Sequence, residues 1–280
     1  MTRSFRLIGD TPPASPVVLS VPHAGRDYPV ALRDSLRAPL SCLAALEDRL
    51  VDALALAARR DETMLVQDSP RAWIDLNRAE HERDPLLDDG ARGGAPLSAK
   101  VRAGIGLVPR RTAAAGELWR CKLRAGEVEA RIAAAHRPYH AALAEALSQA
   151  RARFGCAVLL DIHSMPPIAG GRTRLVIGDR FGRAAGARFV ARVEGAVRAA
   201  RLGYTLNTPY AGGHILERHA SPHEGVHAIQ LELDRSLYLD RRLDALGPGA
   251  PAMVALLRAT IDSLADEALA ATGSTPLAAE

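Results

Sequence analysis

Cys156-Ala-Val-Leu-Leu-Asp-Ile162 is an apolar run with one carboxylate, Asp161, near its end, and it is followed at once by His163-Ser-Met-Pro166. A run of this length with no polar alternation reads as a strand buried on both faces, the kind found at the centre of a parallel sheet. Working outward, Pro16-Val-Val-Leu-Ser-Val-Pro22 is a second such strand, and it too ends on a histidine, in His23-Ala-Gly25. Further strands are predicted over Thr63–Gln67, Trp73–Leu76, Arg174–Ile177 and Ala228–Leu233. Between them lie helical periods: Ser41–Arg60, with Leu43, Leu46, Leu50, Leu54 and Ala57 on one stripe, Glu117–Phe154 with an interruption near Pro138, Arg183–Arg201, and Pro251–Thr272. Alternating strands and helices define an α/β protein, and no repeat or linker divides the 280 residues, so residues 1–280 are expected to form a single domain. Asp84–Pro109, rich in Gly, Pro and charge, reads as a surface excursion or a lid.

Composition narrows the function classes. The formal net charge is +4, yet the basic residues are almost all Arg, with Lys100 and Lys122 the only lysines, and they are interleaved with acids. That distribution argues against a nucleic-acid surface. Met1–Pro16 lacks the apolar stretch of a signal peptide, no run is apolar enough to span a bilayer, and Cys42, Cys121 and Cys156 are widely spaced without a CxxC pair. A cytoplasmic protein without a membrane partner is expected. Oligomeric state is not legible.

The chemistry gathers at strand ends, where open α/β sheets place their ligands. His23 and His163 each follow an apolar strand and precede a turn, a suitable geometry for imidazoles that hold a metal. A catalytic zinc takes three protein ligands and leaves a fourth position open, so a carboxylate or a third His is needed. Glu232 lies in a strand of alternating apolar residues, where a carboxylate is costly without a task or partner. Gln230 shares its face at period two. There is no G-x-S-x-G elbow, no P-loop and no G-x-G-x-x-G after a strand, and Arg92–Pro96 and Ala169–Arg172 read as plain turns. His219, His223 and His227 are irregularly spaced on a polar loop and are expected to face solvent. His136 and His140 lack the intervening Glu of a metalloprotease helix.

Ser20-Val-Pro-His-Ala-Gly25, Asp75-Leu-Asn-Arg78, Leu160-Asp-Ile-His-Ser164, Asn207–Gly213, Arg218 and Gln230-Leu-Glu232 occur in order from Pro16 to Tyr238. Together they resemble the N-formylglutamate amidohydrolase family. The resemblance implies a three-layer α/β/α fold with a mixed, mostly parallel sheet, similar to the zinc carboxypeptidases. It also implies one Zn²⁺ per chain and hydrolysis of a small anionic N-acyl amino acid, N-formyl-L-glutamate in particular, as in histidine degradation. Another N-acyl amino acid or a short peptide, or a non-catalytic ligand-binding role, are the alternatives.

One feature departs from the carboxypeptidase pattern: three positions after His23 stands Arg26, where a His-x-x-Glu motif has its carboxylate. Helical periodicity favours Glu47 as the replacement and the family pattern favours Asp48. Asp48 is taken as the third ligand beside His23 and His163, with Asp52 one turn on in support. The resemblance further implies Glu232 as general base, Arg71 as the group polarising the scissile carbonyl, and Asn77 and Arg78 as carboxylate binders. Arg218 would take a second carboxylate, with Gln230, His214 and Tyr210 nearby. Guanidinium suits these roles because it grips a carboxylate through two parallel hydrogen bonds.

Overall fold

In this computed structural model, residues 4–91, 96–168 and 170–273 are described. The elements in chain order are β1 (Phe5–Ile8), β2 (Val17–Val21), α1 (Val30–Ser35), a 3-10 turn (Leu40–Leu46), α2 (Val51–Ala58), β3 (Thr63–Gln67) and α3 (Ala99–Arg102). The small strands β4 (Arg111–Thr112) and β5 (Gly116–Glu117) come next, then α4 (Ala125–Arg131), a π turn (Ile132–His136) and α5 (Arg137–Phe154). The chain finishes with β6 (Ala157–Met165), β7 (Leu175–Gly178), α6 (Ala187–Ala199), β8 (Tyr204–Leu206), α7 (His214–His219), β9 (Val226–Asp234) and α8 (Ala250–Gly273). Seven strands form one sheet in the order β1-β3-β2-β6-β9-β7-β8, and β4 and β5 make a separate two-stranded pair. β2 runs parallel to β6, β6 to β9 and β7 to β8, whereas β7 is antiparallel to β9. The α/β class and the mixed, mostly parallel sheet are as expected.

The chain divides into two compact units. One comprises residues 1–6, 22–49 and 66–142, the other residues 7–21, 50–65 and 143–280. In the second unit, β6 is buried along its whole length and lies at the centre of the sheet. Val158, Leu160 and Ile162 on β6 share one face with Ile229, Leu231 and Leu233 on β9, and all six are fully buried. Helices α2 and α8 pack against β2 and β6, and α6 packs on α8. In the first unit, α1 is held through Leu36 and Arg37 to the segment at Leu118 and Trp119, and the Trp119 indole donates to the Pro109 carbonyl (2.8 Å).

Four local expectations are corrected. The predicted helix over Ser41–Arg60 is broken: a 3-10 turn stops at Leu46, Leu50 adopts a left-handed φ of 58°, and α2 starts only at Val51. Asp48 therefore stands outside a helix, and the one-turn relation to Asp52 is lost. Trp73–Leu76 is a turn segment rather than a strand. The helix predicted from Glu117 starts at Ala125 and passes through Pro138 without stopping. Pro138 has no N–H to donate, and its ring excludes an ordinary bond to the carbonyl four residues back. The preceding π turn absorbs this, with the Arg137 N–H reaching Ile132, while the Ala134 carbonyl, four residues before Pro138, accepts from the Ser4 hydroxyl (3.4 Å). Lastly, β6 continues to Met165, so His163 is a residue of the strand rather than one that follows it.

Residues 92–95, within the predicted excursion and its turn, and Ala169 lie outside the described residues. Among the described residues, no helix is long and apolar enough to cross a membrane. All three cysteines are free thiols.

Candidate active site

In the second unit, parallel register brings one polar cluster to a single face of the sheet. Ser20 pairs with Asp161, Asp161 with Gln230, and His163 with Glu232, so these five side chains share a face while their neighbours in sequence face the apolar side. All five are buried. The Asp161 carboxylate accepts from the Ser20 hydroxyl (2.6 Å) and lies 2.8 Å from Nε2 of His163. A carboxylate accepts only, so this contact puts the proton on Nε2 and leaves Nδ1 as the basic nitrogen of His163. On β9, the Gln230 amide donates to Glu232 Oε1 (2.8 Å), and its own oxygen accepts the Gly213 N–H (3.3 Å). Gln230 thus couples Glu232 to the loop that leads into α7. That loop comes so close to β7 that a Cβ at Gly178 would meet the backbone of Tyr210–Gly212 at 2.8–2.9 Å, and only glycine fits there. α7 opens with the partly buried His214 and carries Arg218 on its exposed side, and Tyr210 is 38% exposed at the rim.

In the first unit, a second polar cluster is built around one carboxylate. Asp75, wholly buried, accepts from the backbone N–H of Asn77 (2.8 Å) and from Nε of Arg71 (2.9 Å), and lies 2.7 Å from Nε2 of His23. Burial pushes this carboxyl up, but Arg71, His23 and Arg78 outweigh it and hold Asp75 well below the usual carboxylate range. As with His163, the contact places the proton of His23 on Nε2 and turns Nδ1 outward as a donor of electrons. Nδ1 of His23 is 3.5 Å from Oδ2 of Asp48, and the Asp48 N–H donates to the His23 carbonyl (2.9 Å). Two ligands of one tetrahedral zinc, each about 2.1 Å from the ion, stand about 3.4 Å apart. Glu47 is directed elsewhere: its carboxylate takes the Tyr28 hydroxyl and Nη1 of Arg49 (2.7 Å). Burial, then the hydrogen bond and charge of Glu47, push the Tyr28 hydroxyl up, so it stays a proton donor to that carboxylate. The break in the predicted helix separates the two acids, because extended chain at Glu47 sends consecutive side chains to different sides.

Close packing positions this cluster as well. A Cβ at Gly25 would collide with the Ser69 carbonyl, and the Asp27 N–H donates to Asp68 (3.0 Å), so the His23 turn is pressed onto the strand end that leads to Arg71. Arg78 spends Nε on the Ile105 carbonyl (2.9 Å) and Nη1 on the Asn77 carbonyl (2.7 Å), while the Asp75 N–H donates to Leu107 (2.8 Å). The far end of the 84–109 excursion is therefore tied to the site segment. Lys100, on α3 in that excursion, lies within electrostatic reach of Arg71, Asp75 and Arg78; burial, then Arg78, lower its pKa.

Asp75, Asp161 and Ser20 have no role in the expectation from sequence, although all three stand in the family-like motifs. Their signal was present: a carboxylate two residues before His163 in a buried strand is costly unless it meets a partner. Of the three histidines expected in solvent, only His223 is exposed. His219 is buried on α7, and His227 is a residue of β9 whose ring lies 4.3 Å from that of Phe189 and accepts the Gly186 N–H (3.2 Å). Pairing of β9 along β6 draws His227 inside, which loop-like composition at Ser221–Gly225 conceals.

Comparison with known proteins agrees with these motifs. The chain is 29% identical over 232 residues to an N-formylglutamate deformylase of Pseudomonas putida, covering 80% of this chain and 82% of the relative. It is 29% identical over 245 residues to the Pseudomonas aeruginosa enzyme of that name, covering 81% and 83%. The crystal structure of N-formylglutamate amidohydrolase from Ralstonia eutropha JMP134 superposes with a TM-score of 0.86 at 30% identity, covering 96% of this chain and all of that one. A gene product from Agrobacterium tumefaciens, at 17% identity and a TM-score of 0.63, shares the fold. The family model for N-formylglutamate amidohydrolase matches residues 15–239, which takes in every motif from Ser20 to Glu232, and the chain belongs to that family.

Proposed function

We propose that this chain is a zinc-dependent amidohydrolase that converts N-formyl-L-glutamate and water to formate and L-glutamate, as a step of histidine degradation in the cytoplasm. The observation that carries the reading is shared by two histidines. His23 and His163 each place Nε2 on a buried carboxylate, Asp75 and Asp161 respectively, which fixes the tautomer and presents Nδ1. A carboxylate behind each imidazole is the arrangement that orients and strengthens metal-ligating histidines. His23, Asp48 and His163 are the proposed ligands of one Zn²⁺. Parallel pairing of β2 with β6 supports the grouping, because His23 lies three residues beyond Ser20 and His163 two beyond Asp161, its partner. A family match that runs unbroken through segments of both units supports one catalytic domain over residues 1–280.

Zinc, when bound, lowers the pKa of a coordinated water toward neutrality and polarises the scissile carbonyl. Glu232, held by Gln230, takes the proton of the attacking water and delivers it to the amide nitrogen as the C–N bond breaks. Arg71, with Nε committed to Asp75, offers the far end of its guanidinium to the oxyanion. Asn77 and Arg78 bind one carboxylate of the substrate and Arg218 the other, with His214, at the start of the helix that carries Arg218, as a further substrate-binding residue. Named deformylases among the relatives support the substrate.

The test combines metal analysis of the purified protein with formate release from N-formyl-L-glutamate, run beside N-acetyl-aspartate and a dipeptide. About one zinc per chain is expected, with N-formyl-L-glutamate the best substrate. Glu232→Gln should keep the metal and lose about 10²–10⁴ in kcat. A Glu232→Gln variant with wild-type kcat would disprove the base assignment.

A further inference from the structure

The segment Trp73–Arg78 carries Asp75, Asn77 and Arg78 but forms no strand or helix. Its carbonyls are nonetheless secured. Nη1 of Arg131 donates to Trp73 (3.2 Å), Nε2 of His140 to Leu76 (3.0 Å) and Nε2 of His136 to Arg78 (2.8 Å), while the Arg78 guanidinium covers the Asn77 carbonyl between them (2.7 Å). Both histidines are fully buried with ring centroids 4.4 Å apart, and the Arg131 guanidinium lies 3.7 Å over the Trp73 ring. All three donors come from one continuous helical run, α4, the π turn and α5.

The spacing of the three explains the π turn. Along an ordinary α-helix, five residues rotate through about 500°, which leaves the fifth roughly 140° away from the first. Arg131 and His136 are five apart and face the same segment because the steps between them fall in the π turn Ile132–His136, which holds an extra residue per turn. His140, four residues on, then lies on the face of His136 in regular α-helix. Pro138, which cannot join the regular bonding pattern, sits where the π turn gives way to α5 and favours the irregular turn before it.

We infer that Arg131, His136 and His140 are positioning residues for substrate recognition, a clamp on the Trp73–Arg78 backbone that holds Asn77 and Arg78 in line with a substrate carboxylate. This rests on the proposed reading of Asn77 and Arg78 as carboxylate binders. The clamp is made by Nε2–H of each histidine, so glutamine, whose amide reaches a similar point, preserves it, and phenylalanine fills the space without it.

The test is steady-state kinetics of the zinc-loaded enzyme on N-formyl-L-glutamate for His140→Phe, His140→Gln and Arg78→Leu. His140→Phe should raise KM about 10-fold or more with kcat within about threefold, and His140→Gln should return KM to within about threefold of wild type. An unchanged KM in His140→Phe, or an equal fall of kcat in both His140 variants at constant KM, overturns the clamp. Arg78→Leu separates the two layers: a raised KM upholds the carboxylate reading, so failure of the His140 pair then counts against the clamp alone, whereas an unchanged KM removes the reading and the clamp with it. If His140→Phe does not fold, His136→Phe and His136→Gln make the same comparison at the Arg78 carbonyl, with the same outcomes expected and the same ones fatal.

Discussion

Replacing Asp75 by Asn is the perturbation that most directly probes how the site is built. The substitution is nearly isosteric, so packing is preserved and what changes is charge and hydrogen-bond polarity. Asp75 accepts three hydrogen bonds, from His23 at 2.7 Å, Arg71 at 2.9 Å and the Asn77 backbone at 2.8 Å. An asparagine oxygen can serve one side, but its NH₂ then confronts a donor, either the Arg71 guanidinium or the His23 Nε2–H. Hydrogen bonds to a charged group contribute about 1.5–3 kcal/mol each, yet three on one carboxylate are not additive. Breaking a buried charge pair by removing one member costs about 3–5 kcal/mol, and that is the expected loss in a denaturant titration of the zinc-free protein. Zinc affinity, followed by competition with a chelating dye, should weaken about 10–100-fold, because the carboxylate behind His23 no longer fixes its tautomer. Arg71→Met leaves the wholly buried carboxylate without its main counter-charge and should cost a similar amount of stability, yet spare zinc affinity, because the carboxylate behind His23 remains. An Asp75→Asn protein with wild-type stability and wild-type zinc affinity would refute the role given to Asp75.

Two further predictions concern pH. Burial, then the charge of Arg188, push the His227 imidazole down to about 4, below its ordinary 6.5, so the folded protein holds it neutral while the unfolded chain takes up a proton. Stability therefore falls as pH drops from about 6.5 to about 4, by at most about 3 kcal/mol, and His227→Asn, which keeps an acceptor for Gly186, should flatten that slope in denaturant titrations across the window. The opposite case is Glu62, whose carboxyl burial pushes up but the hydrogen bond from Arg258 (2.8 Å) holds below 4.5. Its contribution is full above the unfolded value and is lost as pH falls through the lower folded one; Arg258→Met should be less stable than wild type at pH 7, with the gap closing below about pH 4. A gap that stays constant from pH 7 to pH 3 would show that Arg258 acts through packing alone.

The strands were readable because their evidence is local. Val17–Val21, Thr63–Gln67 and Ala157–Ile162 are apolar runs whose burial needs no knowledge of their neighbours. Helix phase was less secure. The stripe from Leu43 to Ala57 is a true apolar pattern, but the left-handed turn at Leu50 divides it, and nothing in the pattern marks a residue that will take φ of 58°. His227 misled for a related reason: its polar neighbours end at Gly225, and only pairing of β9 along β6 shows that the histidine lies inside.

The α/β class, the strand that leads to His23, the strand that carries His163 and, through ordered motifs, the family are all legible in the sequence alone. Those properties follow from periodicity and from residues close together in the chain. The tertiary structure decided how Asp48 and Glu47 differ, that Asp75 and Asp161 stand behind the two imidazoles, and that Arg131, His136 and His140 grip one segment. Hydrogen bonds such as His23 to Asp75, 52 residues apart, and His136 to Arg78, 58 apart, depend on register, on a left-handed turn and on a π turn. Side-chain direction at such sites is set by backbone geometry that many sequences of similar periodicity would not share.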